Sequence, residues 1–333
     1  MRLLILGGTE FVGRAVAEDA LARGWEVTVF HRGRHAAPEG ARDLIGDRTT
    51  ADGLAALGAT EEWDVVVDTW SAAPRVVRDS ARLLADRAGR YAYVSTASVY
   101  AAPQPVGIDE GRPTVAGDPD AGEVGYAEAK RGGELAAVAA FGESRSLLLR
   151  AGLILGPYEN IGRLPWWLTR IARGGDVLAP GPREQSVQYV DARDLAAFTL
   201  DASVAGRSGA YNVVSPPDFT TLGEILDTAV ATANPSGARL AWTDPTRILD
   251  AGVQPWIQLP IWVPRGEDFD ALMTLDTSHA RNAGLRCRPV EATVRDTWRW
   301  LESIGGTAPQ RPDRPVVGLD PELEAKVLSA DAG

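Results

Sequence analysis

Residues 3–13 read Leu3-Leu4-Ile5-Leu6-Gly7-Gly8-Thr9-Glu10-Phe11-Val12-Gly13, an unbroken apolar run followed by a glycine-rich turn. An apolar run without alternation is what a strand buried on both faces requires. After Val12 the apolar positions Val16, Ala20 and Leu21 recur at helical spacing, and Gly24 stands where a helix stop favours a left-handed residue. The glycines therefore join a strand to a helix. Such a turn aims main-chain N–H groups and the positive end of the helix dipole at one point, the arrangement that holds the phosphates of a dinucleotide.

Working outward, Val27–Phe30, Leu44–Ile45, Val65–Val67, Tyr91–Val94 and Leu147–Leu149 read as further strands, with one helix over Arg75–Ala88 and another beginning near Tyr126. This alternation predicts an α/β fold, a doubly wound parallel sheet covered on both faces. Beyond Gly156-Pro157 the texture changes to frequent Pro, Gly and Trp, which marks a smaller substrate lobe. Two segments, Val190–Leu200 and Tyr211–Val214, read as returning to the sheet, so the lobe is interleaved. The expected division is a dinucleotide-binding domain over 1–156 with returning segments near 187–214, and a substrate lobe over 157–186 and 215–305. A Pro-rich tail follows over 306–333, with a short helix from Glu322 to Leu328.

Composition narrows the function. In 333 residues, 45% are hydrophobic and 24% charged, and the formal net charge is −11. That is the make-up of a globular chain with a large core. An acidic surface lacks the basic stripe that grips phosphate backbones, so no nucleic-acid partner is expected. One cysteine, Cys287, excludes an intrachain disulfide, and His31, His35 and His279 lack metal-ligand spacing, so no metal is expected. The apolar opening is cut at Gly7, too short for a secretory signal, and no window reaches membrane-span length. A cytoplasmic location with no membrane contact is the expectation.

Tyr126-Ala127-Glu128-Ala129-Lys130 sets a phenol and an ammonium one helical turn apart on one face. A surface pair has the same spacing, so the pair gains meaning only from its surroundings. Ser95, Thr96 and Ser98 end the fifth strand, where ligands bind in open α/β sheets. A hydroxyl there can hold a carbonyl while a phenol exchanges its proton, and a neighbouring cation favours phenolate over phenol.

Together GGTEFVG at 7–13, STASVY at 95–100, YAEAK at 126–130 and LRAGLILGP at 149–157 resemble an atypical extended short-chain dehydrogenase/reductase of the NAD-dependent epimerase/dehydratase superfamily. The resemblance continues more loosely through YVDARDLA at 189–196 and GAYNVVSP at 209–216. It implies a Rossmann sheet and a catalytic set of Thr96, Tyr126 and Lys130, with Lys130 also on the nicotinamide ribose. It further implies cofactor contacts from Gly7, Thr9, Glu10, Phe11, Val12, Gly13, His31, Arg32, Asp47, Arg48, Thr69 and Trp70. A homodimer through the helices near Arg75–Ala88 and after Tyr126 is a further implication.

Three departures from the family pattern direct the reading. Glu10 replaces the middle glycine, and its carboxylate either faces the phosphates or points outward. The second strand ends Phe30-His31-Arg32-Gly33-Arg34, without the acid that meets a ribose 2′-hydroxyl, which favours NADP over NAD. Val187 stands where relatives acting on nucleotide sugars carry an arginine, and Ala97-Ser98 where sugar-nucleotide dehydratases carry an acidic pair. The expectation is an NAD(P)-dependent oxidoreductase, a ketoreductase acting on a small, partly apolar or sugar-like molecule. The alternatives are an epimerase on a sugar or polyol with no net redox change, and a non-catalytic dinucleotide sensor or RNA-associated protein. Ser98, Trp166, Arg183 and Trp256 are candidate substrate contacts; the tryptophans serve equally as packing for the lobe, and the arginine as a surface group.

Overall fold

A computed structural model describes residues 1–58, 61–234, 236–307, 309–312 and 314–329. Residues 308, 313 and 330–333 of the expected tail lie outside the described residues.

The chain begins β1 (Arg2–Leu6), α1 (Phe11–Ala22), β2 (Glu26–His31), β3 (Arg42–Ile45), α2 (Ala51–Gly58), β4 (Trp63–Asp68), α3 (Pro74–Leu84), β5 (Ala88–Thr96), α4 (Tyr126–Phe141) and β6 (Ser146–Ala151). These strands and Gly209–Val213 form one seven-stranded parallel sheet, with β6, β5, β4, β1, β2 and β3 following Gly209–Val213 in order. This is the doubly wound α/β sheet that the apolar runs predict. Leu3, Leu4 and Ile5 are fully buried, as are Val65, Val66 and Val67. The winding reverses between β1 and β4, and ligands of open α/β sheets bind beyond the strand ends at such a point.

The helix expected over Arg75–Ala88 ends at Leu84. The Arg87 N–H closes a turn onto the Leu84 carbonyl, and Ala88 already pairs with Trp63 as the first residue of β5. Sheet pairing outweighs the helical preference of this stretch. Two glycines let α4 lie close to its neighbours. A Cβ on Gly133 would stand 2.4 Å from the Tyr93 hydroxyl, and one on Gly132 2.7 Å from Pro74 Cγ.

The chain divides into two compact units. The first comprises Met1–Gly152, Ala192–Val214 and Leu275–Arg286. The second comprises Leu153–Asp191, Ser215–Thr274 and Cys287–Gly333. In the second, parallel strands Gly175–Pro180 and Ala238–Thr243 pack with helices Arg163–Ala172, Leu222–Ala233 and Val290–Ser303 around fully buried Trp167 and Trp262. The helix Pro321–Ser329 is fastened to this unit by Glu324. Its carboxylate accepts from Arg170 Nε at 2.6 Å and from the Leu178 N–H at 3.1 Å. No helix among the described residues is long and apolar enough to cross a membrane.

Glu159 caps the helix Arg163–Ala172, accepting from the N–H groups of Arg163 at 2.7 Å and Leu164 at 3.2 Å. Burial pushes its carboxyl up to about 7, against the opposing pull of Arg163 and these N–H groups. A carboxyl raised in the folded state holds its proton more tightly there than in the unfolded chain, so folding is favoured below the unfolded carboxylate range. That advantage is lost as pH rises towards 7. Glu159→Gln is therefore expected to flatten a fall in stability of about 3 kcal/mol across this interval, measured by denaturant unfolding at successive pH values.

Candidate functional site

The glycine turn closes through contacts that exclude side chains. A Cβ on Gly13 would lie 2.0 Å from the Gly7 carbonyl oxygen, so only hydrogen fits between α1 and the end of β1. Gly7 itself has φ +98°, and a Cβ there would meet Thr69 Oγ1 at 2.6 Å. Thr69 in turn donates to the carbonyls of Leu6 at 3.1 Å and Gly7 at 3.2 Å, which ties the loop after β4 to the turn. Phe11 enters α1 at φ +38°, a conformation costly for an aromatic residue. Val12 is buried beside it, while Thr9 is half-buried in the turn.

Glu10 occupies the N-cap position, yet its side chain makes no cap hydrogen bond. The carboxylate is 46% exposed, with Oε1 3.7 Å from His35 Nε2, so it points outward. The first turn of α1 is thus not capped by this carboxylate. These main-chain groups and the tight glycine contacts fit a dinucleotide pyrophosphate.

At the end of β2, His31 Nδ1 accepts from the Gly33 N–H at 3.2 Å and Nε2 meets Asp43 Oδ1 at 2.6 Å. The imidazole is engaged within the fold, while Arg32 and Arg34 are exposed. Asp47 follows β3, its carboxylate accepting from the Thr49 hydroxyl at 2.7 Å and N–H at 2.9 Å. Those bonds hold its pKa below the usual carboxylate range, and the charges of Arg32 and Arg34 add to the effect. The two strand-end loops therefore share one electrostatic neighbourhood.

Arg48, expected beside Asp47 among the cofactor contacts, turns inside. Its guanidinium is 6% exposed and forks onto Asp68, donating to Oδ1 at 2.5 Å and Oδ2 at 2.9 Å. Burial alone would raise the Asp68 carboxyl, but Arg48 beside it brings the pKa below the ordinary value. The loop residue Trp70 lies over this pair, with the Arg48 guanidinium 4.9 Å from its ring centre.

Thr96 ends β5 and begins a short turn over Ala97–Val99. Its hydroxyl accepts from the Ser98 N–H and donates to the Ser98 hydroxyl, both at 3.2 Å. Ser95 is separated from them by its commitment to Glu134, whose Oε1 it meets at 2.7 Å inside the protein. Glu134 is fully buried, and burial would raise its pKa. Its bonds to Arg150 and to Ser95 hold it below the ordinary value instead. Of the three hydroxyls, Ser95 is thus built into the packing.

Tyr126 opens α4 and is 42% exposed. One turn on, Lys130 is 3% exposed, its ammonium donating at 2.6 Å to each of the carbonyls of Val94 and Trp70. It also stands 4.8 Å from the Tyr93 ring centre. The charge of Tyr126 acts on the Tyr93 phenol, which burial above all raises well beyond its ordinary pKa. The ends of β1, β4 and β5 and the start of α4 thus carry the turn, Thr69, Trp70, Thr96, Tyr126 and Lys130.

Asp68, Tyr93 and Glu134 escape the sequence reading. Two of the three carry a signal: Asp68 is a carboxylate closing the apolar run Val65–Val67, and Glu134 lies one turn beyond Lys130 on α4. The remaining candidates belong to the second unit. Trp166 meets Trp167 edge-on with ring centres 4.8 Å apart, Trp256 lies under the Arg163 guanidinium at 5.0 Å, and Arg183 pairs with Asp227 beside Trp242. Val187 is 1% exposed within that unit's core.

Comparison with known proteins is consistent with this geometry. The model of the NAD dependent epimerase/dehydratase family matches residues 3–213. Among solved structures, UDP-glucose 4-epimerase of Thermus thermophilus in complex with NAD is similar at TM-score 0.65 and 19% identity, over 91% of this chain and 99% of that one. Bordetella bronchiseptica WbmH in complex with NAD+ is similar at TM-score 0.67 and 19% identity, over 91% and 99%. UDP-N-acetylglucosamine 4-epimerase of Bacillus cereus is similar at TM-score 0.63 and 15% identity, over 90% and 98%. No curated protein sequence matches the chain.

Because Gly13 admits no side chain, Gly13→Ala is expected to push the turn off α1. Calorimetric titration with NAD+ and NADP+ should show binding at least about tenfold weaker, alongside a stability loss of about 2 kcal/mol.

Proposed function

The chain belongs to the NAD dependent epimerase/dehydratase family, and on that premise we propose that it moves a hydride between a nicotinamide dinucleotide and the secondary alcohol or ketone of a small substrate. One observation carries the proposal. A buried ammonium, Lys130, is held by strand-end carbonyls one helical turn from the partly exposed phenol of Tyr126, beside a glycine turn suited to phosphates.

When bound, the dinucleotide supplies or accepts the hydride. The protein's part is positioning and proton transfer. In the reducing direction Tyr126 gives its phenolic proton to the carbonyl oxygen as the hydride reaches the carbonyl carbon, leaving an alcohol. Thr96, turning its single hydroxyl proton away from the Ser98 hydroxyl, donates to the same oxygen and holds it in place. Lys130 balances the negative charge left on the Tyr126 oxygen and offers its ammonium to the ribose hydroxyls. Gly7 to Gly13 carry the pyrophosphate on main-chain N–H groups. Burial of Val187 in the second unit supports a substrate without a diphosphate handle at that position.

The exposed Arg32 and Arg34 beside Asp47 support NADP as the preferred form, since a 2′-phosphate takes two strong charge-assisted hydrogen bonds from guanidinium groups. Membership of an epimerase family favours a second reading, in which the hydride leaves and returns on the opposite face with no net change in the cofactor.

Tyr126→Phe is expected to lower turnover by a factor of about 100 or more over a carbonyl panel followed by nicotinamide absorbance. Undiminished turnover would remove Tyr126 from the chemistry. A substrate converted without any absorbance change would favour the epimerase. The double variant Arg32→Ala with Arg34→Ala should weaken NADP+ binding about tenfold and leave NAD+ within about twofold; equal losses for both would sink the NADP preference.

A further inference from the structure

Asp68 is fully buried and every acceptor direction of its carboxylate is used. Oδ1 accepts from Arg48 Nη2 at 2.5 Å and the Trp70 N–H at 2.8 Å, while Oδ2 accepts from Arg48 Nη1 at 2.9 Å and the Tyr91 hydroxyl at 2.5 Å. A carboxylate held at four points has no freedom to turn. Trp70 is thereby gripped on three sides: by Asp68 at its N–H, by the Arg48 guanidinium at its ring face, and by the Ala73 carbonyl at its indole N–H, 3.0 Å away. Its carbonyl oxygen accepts from Lys130 Nζ at 2.6 Å and from the Tyr93 hydroxyl at 3.0 Å.

We propose that the buried Arg48–Asp68 ion pair is a positioning device for Lys130, acting through the main chain of Trp70. The pair fixes Trp70, the Trp70 carbonyl fixes one acceptor of the ammonium, and Val94 on β5 fixes the other. Energetics support a positional role. A buried ion pair seldom outperforms apolar side chains of equal volume in stability, so a pair kept in this core is better accounted for by the arrangement it specifies. The positions also fit, since Asp68 ends β4, Trp70 lies two residues on, and Lys130 reaches across from α4. The proposal takes from the hydride-transfer reading only its consequence for dinucleotide binding.

The first measurement needs no cofactor. With 15N-labelled protein, the Lys130 ammonium should give a slowly exchanging signal, because it is buried and bonded to two carbonyls. Asp68→Asn should broaden or abolish that signal together with protection of the Trp70 amide. A Lys130 signal unchanged in a folded Asp68→Asn protein overturns the proposal, whatever the protein binds. Should Asp68→Asn leave Arg48 unpaired and fail to fold, replacing both partners, Arg48→Met with Asp68→Leu, serves. It removes the ion pair without stranding a buried charge and should still shift the Lys130 signal; no shift overturns the proposal.

The second measurement is NADP+ and NAD+ affinity by calorimetry. Asp68→Asn and Lys130→Met should each weaken binding about tenfold, and the double variant should be no worse than Lys130→Met within about twofold. Fully multiplying losses would show that the ion pair acts on the fold independently of Lys130 and would overturn the coupling. A wild-type protein with the protected Lys130 signal that binds neither dinucleotide would instead defeat the hydride-transfer reading and leave the positioning intact.

Discussion

A single close approach sets the geometry on which the site depends. The hydrogen of Gly13 points at the Gly7 carbonyl oxygen, and a methyl group there would stand 2.0 Å from it. That contact draws the start of α1 onto the end of β1, so that the helix begins at the sheet's switch point. The hydroxyl of Thr69 then crosses from the loop after β4 to the same turn, and with Thr69 comes Trp70. Through the Trp70 carbonyl the turn is linked to Lys130 on α4. Elements distant in sequence thus converge because one residue is small.

Charge is distributed on a related principle. The chain carries a net −11, yet several buried carboxylates are individually answered: Asp68 by Arg48, Glu134 by Arg150 and Arg131, and Glu324 by Arg170, while at Glu159 burial raises the carboxyl pKa instead. Unanswered charge in a dry interior is far more expensive than at the surface, so the excess acidity lies on the exterior. The net charge accordingly describes the protein's surroundings and says little about its pocket.

The sheet was legible because its strands are continuous apolar runs, a pattern that few other structures need. The strand-to-helix turn was legible for the same reason, since Gly7 and Gly13 follow such a run directly. Side-chain direction was harder to read. The family resemblance put Arg48 near a cofactor, but the partner that turns it inward lies on another strand and becomes its neighbour only after folding. The acceptors of Lys130 are main-chain carbonyls, which leave no mark in a sequence at all. Ser95 and Thr96 look interchangeable on paper; alternation along β5 sends one to Glu134 and leaves the other at the strand end.

The connectivity of the first unit has a consequence for biosynthesis. Its seventh strand, Gly209–Val213, pairs with β6 only after the long segment between them has been made. Asn212 then donates to the carbonyl of Asp276, and the Tyr211 ring stacks on His279, 4.2 Å between centres. Chains emerge from the ribosome in order, and compact units close as their last pieces arrive. This unit cannot close until residues 275–286 have emerged, by which time much of the second unit is also available. Neither unit is a single contiguous segment, so the first closes late in translation and the second later still, once residues beyond 286 have been made.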